Sequence, residues 1–115
     1  MTEANDLAAL SEKWSVSLPL KQKSYFLLAP ALGLVKIGCS INPTQRMCDL
    51  RTMNAAETEP LLVLRVPELE LHERFKLSRH HGEWFRVTFK MVHYLRDISE
   101  DDAADRLYQV ICDAP

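Results

Sequence analysis

Residues 24–38 read SYFLLAPALGLVKIG, and the fold turns on this stretch. Its first half, within 23–29 (KSYFLLA), is aromatic and apolar, a composition that suits a pleated, half-buried surface. Pro30 and Gly33 then punctuate a turn. Residues 34–38 (LVKIG) resume an apolar run as a second strand, so the pair is predicted to be a hairpin. Downstream, Asn42-Pro43 starts a helix: Asn42 caps it, and Pro43 takes the first position, where a missing N–H costs nothing. That helix is expected to reach about Thr52, with Met47 and Leu50 inward and Cys48 a further inward candidate. A loop holding Asn54, Glu57 and Glu59 ends at Pro60, and 61–66 (LLVLRV) is a third strand. Pro67 opens a second helix, expected to end near Ser78, with Leu69, Leu71, His72 and Phe75 on its apolar side.

The remainder fills in around that centre. Residues 83–87 (EWFRV) are short and extended, and Thr88 caps a helix through Arg96. Ser99 with Asp102 has the spacing of a capping box, although with Asp in the return position. It opens a last helix to about Cys112, with Leu107, Val110 and Ile111 as its apolar face. Upstream, 5–14 (NDLAALSEKW) places Leu7, Leu10 and Trp14 at helical spacing. The expected architecture is α+β: a small, mostly antiparallel three-stranded sheet flanked by helices, with extra N- and C-terminal helices. It divides into an N-terminal helical extension (1–20), a central domain (21–96) and an acidic C-terminal helix (97–115).

Composition narrows the class. A chain of 115 residues suits one domain. At 47% hydrophobic and 26% charged it can build a core, which excludes intrinsic disorder as its main state. The longest uncharged apolar stretch, Ser24 to Val35, is 12 residues and too short to span a bilayer. No signal peptide is evident in MTEANDLAAL. Cys39, Cys48 and Cys112 are odd in number and lack Cys-x-x-Cys spacing, so a disulfide framework is not expected and a reducing cytosol is. The net charge of −2 conceals +5 over 21–96, against −2 over 1–20 and −5 over 97–115. A basic centre suggests a phosphate-bearing partner.

Taken singly, the polar residues are not diagnostic. Tyr25 and Lys36 interrupt apolar strands, while Arg46 and Glu68 each lie in a first helical turn. Cys48, His72, His80 and His81 fit no compact zinc spacing. Cys39 has no identifiable base and reads as buried or inert. The combination says more. Tyr25, then KIGCSINPTQR (36–46), ELELHERF (68–75) and GEWF (82–85) resemble the GIY-YIG nuclease superfamily. They look most like its branch named after a meiotically up-regulated gene and a T5-phage open reading frame. The resemblance covers about 24–96 and implies a metal-dependent DNA endonuclease in a prokaryotic or phage-encoded, cytoplasmic setting.

It also implies roles. Tyr25 would take the first-motif tyrosine position, and Lys36 the place of the second-motif tyrosine. Arg46 would be the helix arginine that binds phosphate, and Glu68 the carboxylate that holds Mg²⁺ or Mn²⁺. Two departures stand out: a lysine at 36, and no asparagine within 82–85. The chemistry suits these types. Phosphodiester hydrolysis needs an activated water, neutralised phosphoryl oxygens and a stabilised leaving group. An ammonium at Lys36 beside Tyr25 would lower the phenol's pKa from about 10 and make Tyr25 a general base; the alternative is that Lys36 itself acts on the water. His72 shares a helix face with Glu68, either supporting the site or packing and bonding to backbone. Trp84 and Phe85 are expected to close the core. The alternative function is a catalytically weak or inactive module that binds nucleic acid or a protein partner.

Overall fold

The computed structural model describes residues 22–53, 56–99 and 101–114. The helix expected over 5–14, and with it the 1–20 extension, lies outside the described residues. The architecture is α+β as expected, but the sheet has five strands rather than three, and every pairing is antiparallel. In chain order the elements are β1 (Lys23–Ala29), β2 (Leu34–Ser40), α1 (Pro43–Met53), β3 (Glu59–Leu64), α2 (Glu68–Arg74), β4 (Arg79–His81), β5 (Trp84–Arg86), α3 (Phe89–Ile98) and α4 (Ala103–Asp113). The strands lie side by side as β3-β1-β2-β5-β4.

The β1–β2 hairpin is the one read from 24–38. Its register runs from Lys23 opposite Ser40 to Ala29 opposite Leu34. A short 3-10 turn, Pro30–Leu32, closes it, and Gly33 follows at φ 65°, the left-handed region that glycine enters freely. β3 begins earlier than expected and includes Pro60. A proline has no N–H for a ladder, which confines it to an edge or a bulge. β3 has both: it is the edge strand, and its register against β1 shifts between Phe26 and Leu27, where Pro60 pairs.

The two added strands come from 79–86. β4 is fully exposed and polar (RHH), so it carries no apolar alternation by which a strand is read. Gly82, at φ 54°, turns β4 into β5.

Helix signals fare well where they are local. Gln45 N–H donates to Asn42 Oδ1 at 3.3 Å, and Met91 N–H donates to Thr88 Oγ1 at 3.4 Å. The Ser99–Asp102 capping box does not form. Instead Ser99 Oγ accepts from Asp101 N–H at 3.3 Å, and Asp101 Oδ1 accepts from Ala103 N–H at 2.9 Å. α2 ends at Arg74, before a 3-10 turn over Lys76–Ser78. Leu71 and Phe75, four apart, face the core, which turns Leu69 out to solvent at 80% exposure. Cys48 is likewise exposed.

Because strand side chains alternate, the sheet has two different faces. Phe26, Leu28, Val35, Ile37 and Phe85 face α2, α3 and α4 and form the main core. Fully burying one such side chain contributes roughly 1.5–3 kcal/mol. α4, the expected acidic C-terminal helix, packs on this core through Leu107, Val110 and Ile111 of its expected apolar face, and through Ala103 and Ala104 as well. Arg106 Nε and Nη2 also clasp Glu59 at 2.9 Å each, tying α4 to the edge strand. The other face is covered by α1 through a small cluster of Tyr25, Leu27, Met47 and Leu50. Phe85 therefore closes the core as expected, while its neighbour Trp84 points to the opposite face and stays half-buried.

Candidate functional site

β5 pairs with β2 only from Leu34 to Lys36. Past that point, Ile37 N–H still donates to the Glu83 carbonyl at 3.0 Å. Glu83 thus stands where β5 ends and the β2 edge opens at Gly38 and Cys39. From there its side chain interacts with both faces: Lys36 Nζ is 2.9 Å away, and the Glu68 carboxylate perturbs its ionisation. The candidate site is built around this gap.

On the α1 face, Tyr25 lies opposite Gly38. A Cβ at Gly38 would approach Tyr25 Cζ to 2.6 Å and overlap its hydroxyl, so a glycine is needed there for the ring to lie across β2. Arg46 reaches from the exposed side of α1 and hydrogen-bonds the Tyr25 hydroxyl. Tyr25 is 2% exposed, and its burial holds the hydroxyl above its ordinary pKa; the Arg46 hydrogen bond offsets only part of this. This corrects the expectation of a lowered pKa. The cation on the phenol is Arg46, while Lys36 is committed to Glu83 and lies 5.8 Å from the centre of the Trp84 ring.

On the α2 face, Pro67 sets the chain to enter α2, and the first helical residue is Glu68. Cys39 Sγ lies 3.5 Å from Glu68 Oε1. Burial pushes the Cys39 thiol up, and the Glu68 carboxylate pushes it further, so the thiol keeps its proton. His72 Nε2 is 2.8 Å from the Ile37 carbonyl, which can only accept, so this nitrogen carries the hydrogen. The ring also meets Phe85 edge-on at 5.0 Å. His72 thus packs and bonds to backbone, one of the two roles expected of it, while its ring also lies beside Glu68.

Glu68 Oε2 is buried and has no hydrogen-bond partner among the described residues; His72 Nε2 lies 3.5 Å from it. Burial raises the Glu68 pKa, and the facing Glu83 raises it further. For Glu83 burial acts in the same direction, but the bond from Lys36 and the contact with Glu68 reverse it, and its pKa is lowered. Within the pair Glu68 is thus the group that takes a proton more readily, and Glu83 the one more readily ionised.

The structure thus brings together Tyr25, Lys36, Arg46, Glu68 and His72, all five of the sequence candidates. Sequence reasoning missed Glu83, which it took only as part of the short extended segment 83–87, and it set Cys39 aside. The available signal for Glu83 was Lys36 itself: a lysine on an inner strand needs an acidic partner. An orphaned carboxylate oxygen beside a second carboxylate suits a hard cation, which is bound through one or two carboxylates and several waters. No group of three or more His, Cys, Asp or Glu residues that could enclose a metal occurs among the described residues.

Fold and site together define a small α+β domain with cations and paired carboxylates gathered at the open end of a sheet. The T5orf172 domain family matches residues 20–101, and the chain belongs to that family. It is a different family from GIY-YIG, which corrects the superfamily assignment drawn from the motifs. The roles of the site residues consequently rest on the geometry above. No curated protein and no solved structure matches the chain. No helix among the described residues is long and apolar enough to cross a membrane.

Proposed function

We propose that this protein is a metal-dependent endonuclease that hydrolyses phosphodiester bonds in DNA. The observation that carries this reading is the meeting of Lys36, Arg46, Glu68 and Glu83 at one gap in the sheet, with Tyr25 beneath. Glu68, with Glu83 beside it, would hold Mg²⁺ or Mn²⁺. When bound, the cation supplies charge neutralisation on the phosphoryl and leaving oxygens. Arg46, exposed and held from behind by Tyr25, binds the phosphate as a planar, permanently charged fork. Lys36 adds a second cation on the same face. Tyr25 stays protonated and positions Arg46 instead of accepting a proton. Glu83, kept ionised by Lys36, takes the proton of the attacking water. Three free cysteines support a reducing compartment, and we place the reaction in a prokaryotic or phage-infected cytoplasm.

The test is cleavage of supercoiled plasmid with Mg²⁺ or Mn²⁺, comparing wild type with Glu68→Ala. Cleavage by wild type alone is expected. Equal cleavage by both would sink the assignment of Glu68. The burial of Tyr25 and the closed Lys36–Glu83 pair favour a second reading, a weak or inactive module that binds nucleic acid or a protein partner. No cleavage by either protein, with DNA binding retained, would establish that one.

A further inference from the structure

A groove of about 480 Å³ opens on the α1 face of the sheet, beyond the small α1 cluster. That volume is in the range of small-molecule pockets, roughly 300–1,000 Å³. Ala29, Leu32 and Leu34 supply apolar walls, Trp84 an aromatic one, and His81 and Thr58 the polar atoms. No acidic side chain among the described residues lines it. Trp84 pairs with Lys36 across the β5–β2 ladder, so one end of the groove adjoins the site cations. Thr58 is 3% exposed, and its Oγ1 has no hydrogen-bond partner among the described residues. A buried hydroxyl without a partner carries an uncompensated desolvation penalty, about 1–3 kcal/mol, which a polar ligand edge would remove.

From this arrangement we infer that the groove receives an unpaired nucleobase of the DNA strand whose phosphate lies at Lys36 and Arg46. This rests on the nuclease reading and narrows its substrate to DNA with single-stranded, flapped or bulged nucleotides. Each part of a nucleotide has a counterpart. The base face lies against Trp84, because every base offers a π-face to an aromatic ring. The Thr58 hydroxyl, which both donates and accepts, meets a polar base edge. The phosphate falls to the adjoining cations. A base held in a duplex presents its faces to its stacked neighbours, so it must leave the stack to enter.

The test is binding without turnover, in chelator. The chain has two tryptophans, so Trp14→Phe leaves Trp84 as the sole tryptophan, read with excitation beyond the tyrosine band. Titration with oligothymidylate is expected to quench Trp84, and a blunt duplex of equal length is not. Using labelled oligonucleotides, Trp84→Ala should weaken single-strand binding about tenfold, with Trp84→Phe retaining most of the affinity. The slope of affinity against salt should not change, because stacking releases no counterions. Leu32→Ser, a neutral change at an exposed rim position, should weaken binding more mildly, again without changing the salt slope or touching the core. Binding without quenching, equal loss for single strand and duplex, or a neutral Trp84→Ala overturns the inference. The two readings separate cleanly. Duplex cleavage indifferent to Trp84 removes the inference and leaves the nuclease, whereas Trp84-dependent single-strand binding without cleavage does the reverse.

Discussion

The α2–α3–α4 face of the sheet and its α1 face draw on the same strands, residue by residue in alternation. One is a continuous apolar cluster from Phe26 to Val110, closed by three helices. The other has four clustered buried side chains at one helix, then the half-buried Lys36, the exposed Arg46 and an open groove. The difference teaches where this domain keeps its stability and where it can keep chemistry. The packed centre of the first face has no room for charged groups, because desolvating them costs more than apolar contacts do, and Glu68 sits at its margin, where α2 begins. A half-covered face holds Lys36 and Arg46 near solvent. The candidate site forms at the one place where both faces are reached from a single residue, Glu83.

The comparison can be broken from either side. Phe85→Ala, on the packed face, should remove about 3–5 kcal/mol of stability, read by denaturant unfolding. A loss near zero would show that the face is not the core. Arg46→Ala, on the open face, should lower the cleavage rate about a hundredfold and cost at most about 1–3 kcal/mol of stability, the penalty for leaving the buried Tyr25 hydroxyl without its partner. If unfolding and activity fell together, Arg46 would be structural. Gly38→Ala joins the two properties. Its methyl group would push Tyr25 aside, costing about 1–3 kcal/mol and displacing Arg46, so both readouts should move.

The smallest expected effect is a pH dependence. Glu68 has a folded pKa above its ordinary value of 4.5, so the fold favours its protonated form. The stability this gives is full below the ordinary value and is lost as pH rises through the folded one. Glu68→Gln cannot ionise and escapes the loss. Its melting temperature should match wild type near pH 4 and exceed it at pH 7, with the gap opening above about 4.5. A gap of the opposite sign would mean that Glu68 is stabilised as an anion.

Features written in local sequence were legible. Pro30 and Gly33 gave the hairpin, Asn42-Pro43 and Thr88 gave helix starts, and the aromatic and apolar run of β1 gave a strand. β4 was hidden because a fully exposed edge strand needs no apolar pattern, and Arg79–His81 has none. Leu69 was misplaced because α2 is only seven residues long and its core stripe needs just Leu71 and, beyond the helix end, Phe75. In the site, Tyr25, Lys36, Arg46 and Glu68 were recoverable as residue types at fixed spacings. Their protonation was not, because it depends on burial and on neighbours brought in from other elements. The Lys36–Glu83 bond spans the β2–β5 pairing, and no local spacing announces it.

α4 gives the domain an extent that its family match does not. The match stops at residue 101, yet Ala103, Ala104, Leu107 and Val110 lie in the same core as Phe26 and Ile37. The unit of likeness is thus shorter than the unit of folding. A chain cut at 101 would keep every candidate site residue and expose the apolar ground those four side chains cover. It would be a poor reagent for asking what the site does, prone to stick to itself before it met any substrate. Whoever shortens this protein should draw the line beyond Asp113.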